Sequence, residues 1–113
     1  MRFFTSRIKE KDGSLRGFAL HAVDDDQDEV YTYVRELGTW NLDRETASDF
    51  YFPELMDTVI VVFSEVSAEE ARELRSQAPI MDLSDDAGRR LISQSRAQLE
   101  IPGQTRTSEE IGL

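Results

Sequence analysis

Five acids fall within six positions of this chain: Asp24, Asp25, Asp26, Asp28 and Glu29. Such a density of carboxylates could ligate a divalent cation, stand in for a phosphate backbone, or keep a turn wet. The cation reading is tested by ligand spacing. A helix-framed calcium loop takes oxygen ligands at its first, third, fifth and twelfth positions, with glycine at the sixth. Counted from Asp24, the first three are aspartates, but the sixth is Glu29, the twelfth is Arg35, and the flanks alternate like strands. No metal site is assigned. The expected role is a polar hairpin connection whose carboxylates repel one another.

Other chemistry is sparse. His21 is the only histidine, and there are no cysteines. Thiolate catalysis, disulfides and Cys-based zinc sites are therefore excluded. His21 lies on a strand face between Ala19 and Val23, where a packed histidine is the expected reading. A Ser-His-acid triad is compatible with the composition, but no GxSxG elbow places a serine. Asp49, Glu54 and Asp57, next to the FYF run, are the place to look for a carboxylate-dependent hydrolase. No residue is assigned as catalytic, no cofactor is implied, and a non-enzymatic protein is expected.

The aromatics say more. Six of the ten lie within 22 residues: Tyr31, Tyr33, Trp40, Phe50, Tyr51 and Phe52. One reading is that they form the core under the first helix. The other is a contact surface of Tyr31, Tyr33, Trp40 and Tyr51, rimmed by the acids of 24–29 and suited to a protein partner with a basic surface. The sharper form of this is an inhibitor of a nucleic-acid-binding protein, of DNA-mimic, immunity or antitoxin type. Its phosphate-like row would extend to Asp43, Glu45 and Asp49.

The net charge of -10 argues against direct nucleic-acid binding, which needs clustered Lys and Arg, and against docking on an anionic membrane. The charge is uneven. Residues 1–23 carry five bases against two acids, whereas residues 24–57 carry eleven acids against two bases. Eleven of the thirteen bases are arginine, which hints at a GC-rich bacterial or phage genome. No apolar run nears the roughly 20 residues of a membrane span. MRFFTSRIKEKDG lacks the apolar stretch of a secretory signal, so a cytoplasmic location is expected. A homo-oligomer is left open.

These residues need elements to position them. RFFTSRI (2–8), LRGFALHAV (15–23) and VYTYVREL (30–37) read as strands, with Asp12-Gly13 turning the first pair. Both faces of the second are apolar, which makes it interior to the sheet. Gly38-Thr39-Trp40 is read as the end of the meander. A short helix follows over 43–49, capped by Asn41 or Asp43 and stopped before Pro53. TVIVVFSEV (58–66) reads as a buried fourth strand. Ser67 and Glu70 form a capping-box pattern for the next helix, and Ser84 starts a longer one reaching about Glu100. Residues 102–113 read as a flexible tail behind a single domain of residues 1–101. The order β-β-β-α-β-α-α implies an α+β domain in two layers, an antiparallel sheet backed by two or three helices.

Overall fold

The computed structural model describes residues 1–56 and 60–113. The fold is α+β, as the element order implied. One antiparallel sheet is built from β1 (Arg2–Lys9), β2 (Leu15–Asp24), β3 (Glu29–Val34), β4 (Thr39–Leu42), β5 (Ile60–Val66) and β6 (Thr105–Thr107). The strand order is β5-β1-β2-β3-β4-β6. The helices are α1 (Arg44–Tyr51), α2 (Ala68–Arg75), α3 (Asp86–Gln98) and α4 (Ser108–Ile111), with a 3-10 turn at Pro53–Leu55.

β2 is interior, between β1 and β3, which its apolar residues on both faces require. Residues directly opposite in antiparallel strands share a face. Phe3 pairs with Ala22, Ala22 with Tyr31, and Tyr31 with Leu42, and this face is covered by α2 and α4. Its core holds Phe3, Leu20, Ala22, Tyr31, Trp40, Ala71 and Ile111. The other face carries Phe4, Val23 and Val30, packed under Ala47, Phe50 and Tyr51 of α1 and Phe63 of β5. Here α3 also docks: Asn41 Nδ2 donates to the Ser95 carbonyl (3.0 Å) and to Gln98 Oε1 (2.9 Å). The sheet is thus covered on both faces, and the two-layer expectation is corrected to three.

Two further corrections follow from turn chemistry and packing. Gly38 does not end the meander. Its φ of 65° supplies the left-handed residue of a tight turn, its N–H donates to the Val34 carbonyl (2.8 Å), and the chain returns as β4. β3 accordingly stops at Val34, and the expected strand residues 35–37 lie in that turn. The second correction concerns the C-terminus. Thr105–Thr107 pairs with β4, and Ser108–Ile111 is a helix with a complete capping box between Thr107 and Glu110. Ile111 is 3% exposed in the main core. The segment has few apolar residues, but two of them, Ile111 and Leu113, reach the core.

The remaining elements sit close to expectation. Asp43 caps α1, accepting from Thr46 N (2.9 Å), and Pro53 begins the 3-10 turn that ends it. Ser67 caps α2 through Glu70 N (3.1 Å). The cap of α3 is Asp85 rather than Ser84, whose hydroxyl donates instead to Asp82 (2.5 Å). β5 begins at Ile60 in the described chain. Thr58 and Val59, expected in this strand, lie outside the described residues, as does Asp57.

Candidate contact site

The acidic run closes the β2–β3 hairpin, with Asp24 opposite Glu29. Its members do different things. Asp24 Oδ1 accepts from the backbone N–H of Asp26 (3.1 Å) and Gln27 (3.3 Å), the local turn that aspartate favours. Asp28 sits at φ 52°, a left-handed conformation that aspartate tolerates better than most side chains. Asp25 is tied down by Arg2, whose Nε and Nη2 donate to its two oxygens at 2.7 and 2.8 Å. Arg2 also lies over the rings of Phe4 (5.0 Å) and Phe50 (5.8 Å) and reaches Glu65 (3.5 Å).

The charges of this cluster shift one another's protonation. The Arg2 guanidinium holds the Asp25 carboxyl below the usual carboxylate range, and Asp25 in turn raises Arg2. Tyr51 donates to Asp25 Oδ1 (3.3 Å). Partial burial, then the Asp25 charge, push its phenol up to about 12. Asp26 and Asp28 are different: among the described residues neither takes part in an ion pair or a side-chain hydrogen bond. They remain open to water.

Beside Asp28 lies a cavity of about 440 Å³ lined by Asp28, Arg44, Ala47, Ser48, Tyr51 and Phe52. Next along the chain, Phe52 is 53% exposed and Leu55 is 68% exposed. The groove thus brings the Asp28 carboxylate and Arg44 together with the apolar side chains of Ala47, Tyr51 and Phe52, and Leu55 is exposed just beyond it. In the sequence Phe52 reads only as one of the clustered aromatics expected to form the core, and its exposure corrects that; Leu55 is not singled out there. Their signal was the Pro53 break just after α1, which leaves Phe52 before it and Leu55 after it exposed.

The other expected contact residues lie elsewhere. Tyr31 and Trp40 are completely buried, which removes them from any contact surface. Trp40 packs against Tyr33 (5.0 Å) and Phe3 (6.1 Å), and its Nε1–H donates to Ser108 Oγ (2.9 Å). Tyr33 is half-buried against that ring. Arg106 stacks over Tyr31 at 5.1 Å, and half-buried Glu29 lies 3.5 Å from the Tyr31 hydroxyl. The alternation that put Tyr31 and Tyr33 on one face was sound, but that face is covered by α2 and α4. Of the expected aromatics, Tyr51 is the one that meets Asp25 of the acidic hairpin, while buried Tyr31 reaches only Glu29 at its base.

A second cluster emerges from strand register. His21 is 2% exposed and bridges two hydroxyls: Ser6 Oγ lies 2.6 Å from Nε2 and Thr32 Oγ1 lies 2.9 Å from Nδ1. Thr32 Oγ1 donates to Asp43 Oδ2 (2.6 Å), as does Thr46 Oγ1 (2.7 Å). Because a carboxylate only accepts, the direction of the whole chain follows. Thr32 gives its proton to Asp43 and accepts from His21 Nδ1–H, so Nε2 bears the lone pair and accepts from Ser6. Burial pushes the imidazole down to about 4, against an opposing pull from Asp43, so it is neutral at pH 7. Thr32 and Asp43 also border a cavity of about 550 Å³ between β3, β4 and α3.

As chemistry, this chain resembles an activated hydroxyl, but Ser6 sits mid-strand between β2 and β5, its partners already satisfied. The buried imidazole and the threonine hydroxyls each find a partner, which is what a buried polar group needs to be tolerated. The carboxylates near FYF do not join it: Asp49 is half-buried on α1 and Glu54 is exposed on the 3-10 turn. Among the described residues, no group of three or more His, Asp or Glu side chains gathers as a metal site would require. No helix among them is long and apolar enough to cross a membrane. Compared with known proteins, the chain matches no protein-family model, no curated protein and no solved structure.

Proposed function

We propose that this protein acts by binding another protein, through the groove between the 24–29 hairpin and the end of α1. The observation that carries this reading is the juxtaposition there of the Asp28 carboxylate, without a side-chain partner among the described residues, with the exposed apolar side chain of Phe52; Asp26 lies on the same hairpin and Leu55 just beyond α1. A contact of this kind favours a partner segment that presents an arginine or lysine beside an aromatic or aliphatic residue. The cation is steered by the acidic surface, and the apolar anchor supplies the desolvated centre of the contact.

Phosphate mimicry is the weaker reading. It needs a row of free carboxylates, whereas Asp25 is engaged by Arg2 and Asp43 by α1 and Thr32. A carboxylate hydrolase is weaker still, because Asp49 and Glu54 line neither described cavity.

The test is selection of random displayed peptides on the immobilised protein and on an Asp26→Asn/Asp28→Asn/Phe52→Ser variant. Asparagine keeps the left-handed turn at position 28, so charge is removed without breaking the hairpin. Selected peptides should pair a cation with an apolar neighbour and lose binding to the variant. Peptides that bind both proteins equally would sink the proposal.

A further inference from the structure

The two sides of the sheet end differently. β6 is three residues long and runs directly into α4, which leaves little free edge. β5 is seven residues long, and among the described residues its only ladder is with β1. Natural sheets blunt such edges with proline, bulges, short strands or inward-pointing charge. Among its described residues β5 has no proline and no bulge, and its only charged residue is Glu65, near its end. It reads IVVFSEV, with four consecutive β-branched or aromatic residues, regular pairing to β1, and Ile60 exposed at 55%. The Val61 N–H is directed at Met56 Sδ (3.5 Å), and from Val62 onward the outer N–H and C=O groups form a template for another strand.

Charge decides which strand fits. The start of β5 is basic on balance: Lys9 lies opposite Ile60 and Arg7 opposite Val62, both of these bases exposed, and Lys11 lies in the hairpin beyond, where Asp12 also sits and Glu10 is paired with Arg16. The end is acidic: Glu65 is the penultimate residue of the strand, Glu69 and Glu70 occupy the first turn of α2, and Asp25 joins this end through Arg2, which bridges it to Glu65. A second copy added parallel would set like charge against like. Added antiparallel, each basic end meets the acidic end of the other copy, twice, as a closed two-fold contact requires. The surface used is separate from the groove beside Asp28.

We infer that β5 is a self-association edge, at which a second copy of this chain adds its own β5 antiparallel and joins the two sheets into one.

Sedimentation velocity on the full chain, from micromolar to near-millimolar concentration and at low and high NaCl, tests this. A dimer is expected, weakening as salt rises. Ile60→Lys/Ser64→Lys changes two exposed side chains on one face of the edge; it should leave the circular dichroism unchanged and abolish the dimer. Lys9→Glu should weaken it at least about tenfold, and adding Glu69→Lys should recover part of that loss. In the unaltered chain, exchange of β5 amides should slow with concentration, a readout independent of any variant. A monomer at every concentration overturns the inference. So does a dimer that survives Ile60→Lys/Ser64→Lys, or one indifferent to both salt and Lys9→Glu.

Discussion

Acidification from pH 7 to pH 5 should cost this protein about 2 kcal/mol of stability, almost all of it through His21. In the unfolded chain an imidazole protonates near its ordinary 6.5; in the fold, burial delays this to about 4. Between those values the unfolded state binds the extra proton, so stability falls as pH falls, by up to about 1.4 kcal/mol per pH unit. The effect is absent above pH 7 and complete below about 4. Weighted by the fraction protonated in each state, the step from pH 7 to pH 5 comes to about 2 kcal/mol. Relief of repulsion among the surface acids acts in the opposite direction and sets a shallow background. Urea unfolding at the two pH values gives the loss directly. His21→Asn keeps a donor for Thr32 but binds no proton in this range, so its stability should be flat or rise slightly over the same interval. Because His21 is the only histidine, its ring resonances can be followed without ambiguity and should stay those of a neutral ring down to about pH 5. A His21 that protonates near pH 6.5, or a His21→Asn chain with the slope of the unaltered one, refutes the reasoning.

Further outcomes follow from packing and hydrogen bonding. Thr32→Val, nearly isosteric, leaves His21 Nδ1–H without an acceptor and should cost about 1–3 kcal/mol. In a chain of this size that is a drop in Tm of roughly 4 °C per kcal/mol, read by calorimetry. Ile111→Ala should cost about 2–4 kcal/mol in urea unfolding, because the residue is 3% exposed in the main core. A flexible tail would lose nothing. Gly88→Ala places a methyl against the backbone carbonyl of Asp82. It should destabilise by about 1–3 kcal/mol despite the gain of about 1 kcal/mol in helix propensity.

The strands were legible wherever burial imposed a pattern. β2, apolar on both faces, had to be interior, and α1 was bracketed by the Asp43 cap and Pro53. What escaped was set by contacts distant in sequence. β4 is four residues long and follows a glycine that reads as punctuation until its partner strand is known. Ile111 and Leu113 are too few to signal a core helix; they matter because Trp40, some seventy residues earlier, needs covering and a partner in Ser108. The contact site divided in the same way. The hairpin acids were visible as a charge run, but which of them stay free depended on Arg2 and on the turn geometry. Ser6, His21, Thr32 and Asp43 are spread over most of the first half of the chain, and only strand register aligns them.

The groove beside Asp28 carries the proposed function, and backbone-amide shift mapping tests it most directly. The isotope-labelled full chain would be titrated with a capped tetrapeptide holding two arginines, a phenylalanine and a leucine, at low and at high salt. The predicted shifts cluster at Asp26, Asp28, Ser48, Tyr51 and Phe52, fade with salt, and vanish in Asp26→Asn/Asp28→Asn. Shifts absent from these positions, or unchanged in that variant, would contradict the assignment of this surface.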